Sequence, residues 1–234
     1  SKEAADMVLM DDHFTTIVDA VEEGRVIFSN IKKFVSYLVS CNVGEVLLIF
    51  VAMLIGFGSP LLAIQILWIN LITDTLPAFA LGLEPKETGV MDKKPLDPKA
   101  PIIDRFMGIT IIFQAVFLAA AVLMSYYLGK TIFGDTTQYG QTFAFITIIS
   151  GELLRSFSAR SAKTFVFMMN PFSNKYVNLA VFVGFILLGV VVYVPGINTL
   201  FQTNVNLPIN HFLFALLLGL IPLVGGEIAK LFKV

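Results

Sequence analysis

Six apolar runs alternate with polar connections along the chain, which predicts an all-α, polytopic membrane helical bundle. Each run has about the 20 residues that an α-helix needs to cross a bilayer. The runs cover approximately residues 34–57, 61–83, 106–129, 140–159, 176–195 and 208–232. Composition supports this class, because 56% of the residues are hydrophobic and only 14% are charged, against about a quarter in soluble domains.

A polar stub precedes the first apolar run. Residues 6–10 predict a short strand, and Asp12 is the expected N-cap of a helix that begins near Phe14. No proline or helix-ending glycine motif follows, so one long helix should rise from the stub into the membrane, with Gly24 as a tolerated weak point. The stub is not a signal peptide, and we expect it to be the tail of a preceding domain. Residues 1–30 thus form one unit and residues 31–234 the six-helix domain.

Basic residues occur in alternate connections, as the positive-inside rule requires. Only Lys130 lies on the opposite side of the predicted membrane. Both termini should therefore be cytoplasmic, and an odd number of spans would misplace whole basic clusters. The clusters are Lys2, Arg25, Lys32 and Lys33; Lys86, Lys93, Lys94, Lys99 and Arg105; Arg155, Arg160, Lys163 and Lys175; and Lys230 and Lys233. The net charge of −1 argues against a nucleic-acid partner.

Oxygen-bearing side chains recur inside the first, second and fourth apolar runs. A carboxylate at the centre of a spanning helix costs roughly 2.5–3.5 kcal/mol, so an ionisable residue at that depth indicates a functional site. The spacings place the residues of each run on one helix face. The set is Asn42 and Glu45; Asn70, Thr73 and Asp74; and Glu152. Oxygen ligands suit hard cations, and Ca²⁺ tolerates irregular geometry better than Mg²⁺, whereas zinc and copper are disfavoured.

Pro77 adds a conformational signal to the second run. It lacks an N–H group and crowds the carbonyl of Thr73, so the helix should be unwound or kinked there. Broken helices that expose backbone groups near mid-membrane are a recurring feature of transporters. The second run is therefore predicted to contribute backbone as well as side-chain oxygens.

Structural interpretations compete with the cation site at several positions. Asn42 or Thr73 taken singly could be a hydrogen-bond partner between helices. Glu152 could form an interfacial salt bridge with Arg155, one turn later. The single cysteine, Cys41, is expected to be a small buried residue and excludes an internal disulfide or a thiolate cage.

One acidic residue near the end of the chain is not expected to belong to the site. Glu227 lies close to Lys230 in the last apolar run. We therefore interpret it as an interfacial residue.

Two stretches of the sequence closely resemble the fifth and sixth membrane helices of P-type Ca²⁺-ATPases of the sarco/endoplasmic-reticulum-like class, type IIA. They are residues 42–45, Asn-Val-Gly-Glu, and residues 67–78, Leu-Trp-Ile-Asn-Leu-Ile-Thr-Asp-Thr-Leu-Pro-Ala. The stub at residues 3–9 and 21–25 resembles the end of that family's phosphorylation domain. The resemblance covers the whole chain and implies that its six spans are family helices five to ten.

The resemblance also implies the chemistry of the site. It places Asn42, Glu45, Asn70, Thr73, Asp74 and Glu152 at the family's cation-ligand positions, with Ca²⁺ transported and protons carried in the opposite direction. The chain contains no Asp-Lys-Thr-Gly phosphorylation motif, so Mg²⁺ and ATP would bind only in a full-length parent. As a piece without the parent's N-terminal helices and cytoplasmic domains, it should be inactive. A bacterial plasma membrane is the expected location.

Two other functions remain open on the sequence alone. One is an ATP-independent secondary cation transporter or a membrane assembly subunit. The other is a P-type pump for a different ion, such as Mn²⁺, Na⁺ or H⁺, because similar oxygen sets accommodate those cations.

Overall fold

A computed structural model describes residues 13–86, 89–92, 95, 101–203 and 205–231. Throughout those ranges the regular secondary structure is helical, which confirms the predicted all-α class. The strand predicted at residues 6–10 and the N-cap predicted at Asp12 lie outside the described residues, as do Lys2, Lys93, Lys94, Lys99 and Lys233.

The first helix, α1, runs over Phe14–Leu54 and contains 41 residues. It passes through Gly24 without interruption, so the prediction of one long helix from the stub into the apolar region is confirmed. At 1.5 Å per residue it is about 60 Å long, roughly twice the thickness of a bilayer core.

The second apolar run forms a broken helix. It consists of α2, Ala63–Trp68, a π-helical turn at Ile69–Thr73, and α3, Thr75–Gly82. The amide of Asp74 donates to the carbonyl of Ile69 at 2.9 Å, one residue further back than in an α-helix. Pro77 explains the break, since it offers no N–H group to the carbonyl of Thr73. The predicted interruption is therefore confirmed.

The rest of the chain forms six helices in the described ranges. The helix α4 covers Arg105–Leu128 and continues into a π-helical turn at Gly129–Phe133. It is followed by α5, Thr137–Ala159; α6, Lys175–Tyr193; the short α7, Ile197–Leu200; α8, Ile209–Leu218; and α9, Leu220–Leu231.

Five helical segments among the described residues are long and apolar enough to cross a membrane, against the six spans predicted. They are Thr15–Leu54, Ala63–Gly82, Arg105–Phe133, Lys175–Tyr193 and Ile209–Leu231. The fourth predicted run is the one that does not qualify. It forms α5, which has 23 residues but a lower hydropathy because it carries many polar side chains. Phe143, Phe145 and Ile146 on this helix are completely buried, and α1, α4, α6, α8 and α9 pack against it. Six spans therefore remain a prediction, with α5 as the enclosed helix.

Candidate cation site

Three acidic side chains are buried where α1, the broken helix and α5 meet. Glu45 lies on α1, Asp74 lies at the junction of the π-helical turn with α3, and Glu152 lies on α5. Their exposed fractions are 5%, 1% and 0%. Since a buried carboxylate requires a partner, this position calls for compensation by a cation, a proton or a donor.

Asn70 provides a donor to one of these carboxylates. Its Nδ2 donates to Glu45 Oε2 at 2.7 Å and to the carbonyl of Ile66 at 3.1 Å. The first bond joins the π-helical turn to α1 and holds the carboxylate of Glu45 in one orientation. The other oxygen, Glu45 Oε1, has no hydrogen-bond partner among the described residues.

The other two carboxylates, those of Asp74 and Glu152, accept no hydrogen bond in the part of the chain that the structure describes. Within the described parts of the chain, both side-chain oxygens of Asp74, both of Glu152 and the hydroxyl of Thr73 are buried without a partner. A ligand atom from each of Asp74, Glu152 and Cys41 lies within 4.8 Å of the other two. Buried polar atoms are nearly always satisfied in proteins, so this group of oxygens fits a bound cation.

Arg155 is a charged residue beside the site, although the sequence pattern assigns it to a basic connection after the fourth run. It lies within α5 and is only 1% exposed. Its Nη1 donates to Ser40 Oγ and to Gln114 Oε1 at 2.9 Å, and its Nη2 donates to the carbonyl of Tyr37 at 3.2 Å. The guanidinium group thus joins α5 to α1 and α4.

The salt bridge between Arg155 and Glu152, considered as an alternative to the cation site, is not formed among the described residues. The guanidinium group of Arg155 instead lies over the ring of Tyr37, at 5.0 Å, and both carboxylate oxygens of Glu152 are without a hydrogen-bond partner among the described residues. The signal available in the sequence was an arginine inside the fourth apolar run. Its spacing from Glu152 suggested that residue as a possible partner, whereas the structure pairs Arg155 with Ser40, Gln114 and Tyr37.

Cys41 is buried as predicted, but its surroundings are not those of a simple apolar residue. Its Sγ accepts a hydrogen bond from Arg155 Nη2 at 2.7 Å and lies beside Asp74 and Glu152. The sulfur therefore lies between the guanidinium group and two of the carboxylates. The sequence argument selected only oxygen-bearing side chains, so it could not predict that Cys41 lies beside the acidic residues.

Asn42 is the one predicted site residue whose side chain is exposed in this structure. Its Nδ2 donates to the carbonyl of Leu38, one turn earlier on α1, at 2.8 Å. The structure thus brings Glu45 and Asn70 into contact and buries Asp74 with Glu152, while Asn42 is exposed and bonds to its own helix. A ligand role for Asn42 stays a prediction.

Glu227 forms a separate interaction near the C-terminal end of α5, where it accepts a hydrogen bond from Ser158. It pairs with Lys230 at 2.7 Å, as the sequence suggested, and accepts a hydrogen bond from the amide of Val166 at 2.9 Å. These contacts fasten α9 to the connection between α5 and α6. Glu227 is therefore distinct from the three carboxylates at the candidate site.

Comparison with known proteins gives consistent matches. The family model described as "Cation transporting ATPase, C-terminus" matches residues 58–232. The chain is 38% identical to calcium-transporting ATPase 1 of Bacillus cereus over 248 aligned residues, covering 100% of this chain and 28% of that protein. It is 41% identical to the calcium-transporting ATPase of Bacillus subtilis, covering 87% and 23%, and 37% identical to calcium-transporting ATPase 1 of Schizosaccharomyces pombe, covering 87% and 23%. The chain thus spans about a quarter of the length of these relatives.

Proposed function

Because this chain belongs to the family of cation-transporting ATPase C-termini, we propose that it is the membrane domain in which a longer P-type pump binds Ca²⁺. The relatives named above are calcium-transporting ATPases. Residues 1–30 would be the end of the phosphorylation domain and the start of the stalk, and residues 31–234 the transport domain.

The observation that carries this proposal is a set of buried oxygens that accept no hydrogen bond from any described residue. Glu45, Asp74 and Glu152 contribute five such carboxylate oxygens, and Thr73 adds a hydroxyl. Ca²⁺ takes six to eight oxygen ligands in flexible geometry. The side chains alone therefore approach the number of ligands that Ca²⁺ needs, and the π-helical turn adds backbone carbonyls nearby.

The residues of the site have different roles in the binding and release of Ca²⁺. Asn70 keeps one oxygen of Glu45 bonded, so the other oxygen can face the cation. Asp74 lies at the break in its helix, between α1 and α5 in the site, and can therefore serve more than one bound ion. When Ca²⁺ leaves, protons on the carboxylates would replace its charge, which provides the proton countertransport.

The energy source lies outside this chain. ATP and Mg²⁺ would bind in the cytoplasmic domains of the parent, and α1 is long enough to transmit their movement from the stub to Glu45. Both termini would face the cytoplasm, with a bacterial plasma membrane as the location. The parent's N-terminal helices would complete the site, and the chain by itself would be inactive.

The test is Asp74→Asn in the full-length parent. The substitution keeps the size of the side chain and removes its charge, so Ca²⁺-dependent phosphorylation by ATP should disappear. Asp135→Asn is the control, because Asp135 is exposed and has a φ of 50° that asparagine adopts readily. A normal phosphoenzyme level in Asp74→Asn would contradict the assignment.

Two further assays, one on this chain alone and one on the full-length parent, separate the competing functions. A secondary transporter predicts ion uptake by the 234-residue chain alone in liposomes, whereas we expect none. A pump for Mn²⁺ or Na⁺ predicts that the parent is phosphorylated in response to that ion and not to Ca²⁺.

A further inference from the structure

A second buried polar cluster lies at the end of α3 opposite to Asp74. Its centre is the ion pair between Glu84, just after α3, and Arg160, at the end of α5. Arg160 Nη2 lies 2.8 Å from Glu84 Oε1, and Nε lies 2.9 Å from Oε1 and 3.1 Å from Oε2. The side chains are only 3% and 7% exposed for Arg160 and Glu84, respectively.

Further hydrogen bonds satisfy both members of this ion pair. Arg160 also donates to the carbonyl of Asn170 at 3.0 Å, to the carbonyl of Pro171 and to Ser173 Oγ at 2.6 Å. Glu84 Oε2 accepts from Asn174 Nδ2 at 2.6 Å. The cluster is therefore a connected network, which fixes geometry more strictly than a single pair.

The network also includes the helices on either side. Asn174 is the N-cap of α6, and its Nδ2 donates to the carbonyl of Ala80 on α3 at 3.2 Å. Asn30 of α1 donates to the carbonyl of Glu84 at 2.7 Å and to that of Gly82 at 3.3 Å. The cluster thus fastens α1 to the ends of α3, α5 and α6.

These fastened helices include the three that carry the acidic residues of the candidate site. Asn30 and Glu45 are both on α1, α3 begins directly after Asp74, and α5 carries Glu152. Helices are stiff, so a change where they are fastened alters the separation of the carboxylates further along them. Ca²⁺ ligands lie about 2.3–2.6 Å from the ion, which makes binding sensitive to small displacements.

We propose that Glu84 and Arg160 are positioning residues that set the cation affinity of the site by holding α3 against α5. The proposal rests on the proposed Ca²⁺ transport function. A buried ion pair gives little net stability compared with apolar side chains, because desolvation offsets its attraction. Its contribution here is the relative placement of the helices that carry Asp74 and Glu152.

The experiment measures Ca²⁺-dependent phosphorylation in the full-length parent. One variant is Glu84→Gln, which keeps the shape and an oxygen for Asn174 but removes the charge. The second is Glu84→Gln combined with Arg160→Gln, which leaves no unpaired buried charge. In both we expect the half-activating Ca²⁺ concentration to rise roughly threefold to tenfold, with the maximum phosphoenzyme per folded pump unchanged. Lys86→Met is the control, because it breaks an exposed ion pair with Glu22 beside the same connection.

The outcomes distinguish a positioning role from a purely structural one. An unchanged half-activating concentration in both charge-removing variants would overturn the proposal. The proposal would also fail if the double variant alone had the same half-activating Ca²⁺ concentration as the unmodified parent. The effect of Glu84→Gln would then come from the unpaired charge that it leaves on Arg160. A lower yield of folded pump with unchanged Ca²⁺ dependence would show a structural role only. If the unmodified parent shows no Ca²⁺ response, the proposed function itself fails.

Discussion

A methyl group added at Gly219 should separate two helices close to Glu152. Gly219 lies between α8 and α9, and a Cβ atom there would lie 2.1 Å from Ser150 Oγ and 2.8 Å from the backbone nitrogen of Gly151. The backbone φ of −64° accepts alanine without strain, so the effect comes from packing alone. Ser150 can rotate its hydroxyl, but the nitrogen of Gly151 is part of α5 and cannot move independently.

The cost of Gly219→Ala follows from that geometry. The two helices have to move apart by several tenths of an ångström, and such overpacking costs about 1–3 kcal/mol. Gly189→Ala is the matched control, because that position lies within α6 and has no atom within 4 Å of the added methyl group. It should be stabilising by roughly 0.5–1 kcal/mol, since glycine is unfavourable inside a helix.

Thermal unfolding of the purified protein in detergent measures both variants. Gly219→Ala should unfold at a lower temperature than the unmodified protein, and Gly189→Ala at the same or a higher temperature. Equal unfolding temperatures for the two variants would refute the packing argument.

Two further predictions concern the ends of the bundle. Asp104 caps α4 by accepting from the amide of Met107 at 2.8 Å, so Asp104→Ala should lose about 1 kcal/mol while Asp104→Asn retains most of the cap. That bond and the ion pair with Lys32 lower the pKa of Asp104. The stabilisation that the ionised Asp104 gives the folded protein is therefore fully present above its unfolded pKa of about 3.9 and is lost as the pH falls through its lower, folded pKa. In acid, the unfolding temperatures of Asp104→Ala and the unmodified protein should converge. In a second variant, Tyr139→Phe removes only the hydroxyl that bonds with His211 Nδ1 at 2.6 Å, which should lower the free energy of unfolding by roughly 1 kcal/mol in the same assay. The control Tyr127→Phe, at a half-exposed position, should leave stability unchanged. Equal effects of the two variants would exclude the Tyr139–His211 bond as the cause.

Local sequence signals predicted the features that depend on near neighbours. The continuous helix α1 follows from the absence of breaking residues, and the break near Asp74 follows from Pro77, which acts on a carbonyl four residues earlier. Glu45 and Asn70, which the sequence assigns to one set of oxygen-bearing residues, are in contact, and the helices that carry them are neighbours in the chain. In each case, the physical cause lies within one or two helical turns or one connection.

Features that depend on distant packing were missed. Arg155 bonds to Ser40 and Tyr37, which are 115 and 118 positions away from it in the chain, so sequence spacing could indicate only Glu152 as its partner. Cys41 enters the group of acids for the same reason. The polar composition of α5 is tolerated because other helices surround it, and that enclosure cannot be read from the hydropathy of α5 alone.

The π-helical turn makes the broken helix a joint whose two outer ends are attached to different parts of the protein. On one side, Gln65 of α2 is completely buried and donates to the carbonyl of Phe201 at 3.0 Å, beyond α7. On the other side, α3 is tied through Gly82 to Asn30 of α1. If either attachment moves, the regular helices α2 and α3 resist bending. The displacement is therefore taken up at the π-helical turn between them, where the helical hydrogen bonds are irregular. Asp74 is at that place, so its carboxylate is the group that such a displacement moves.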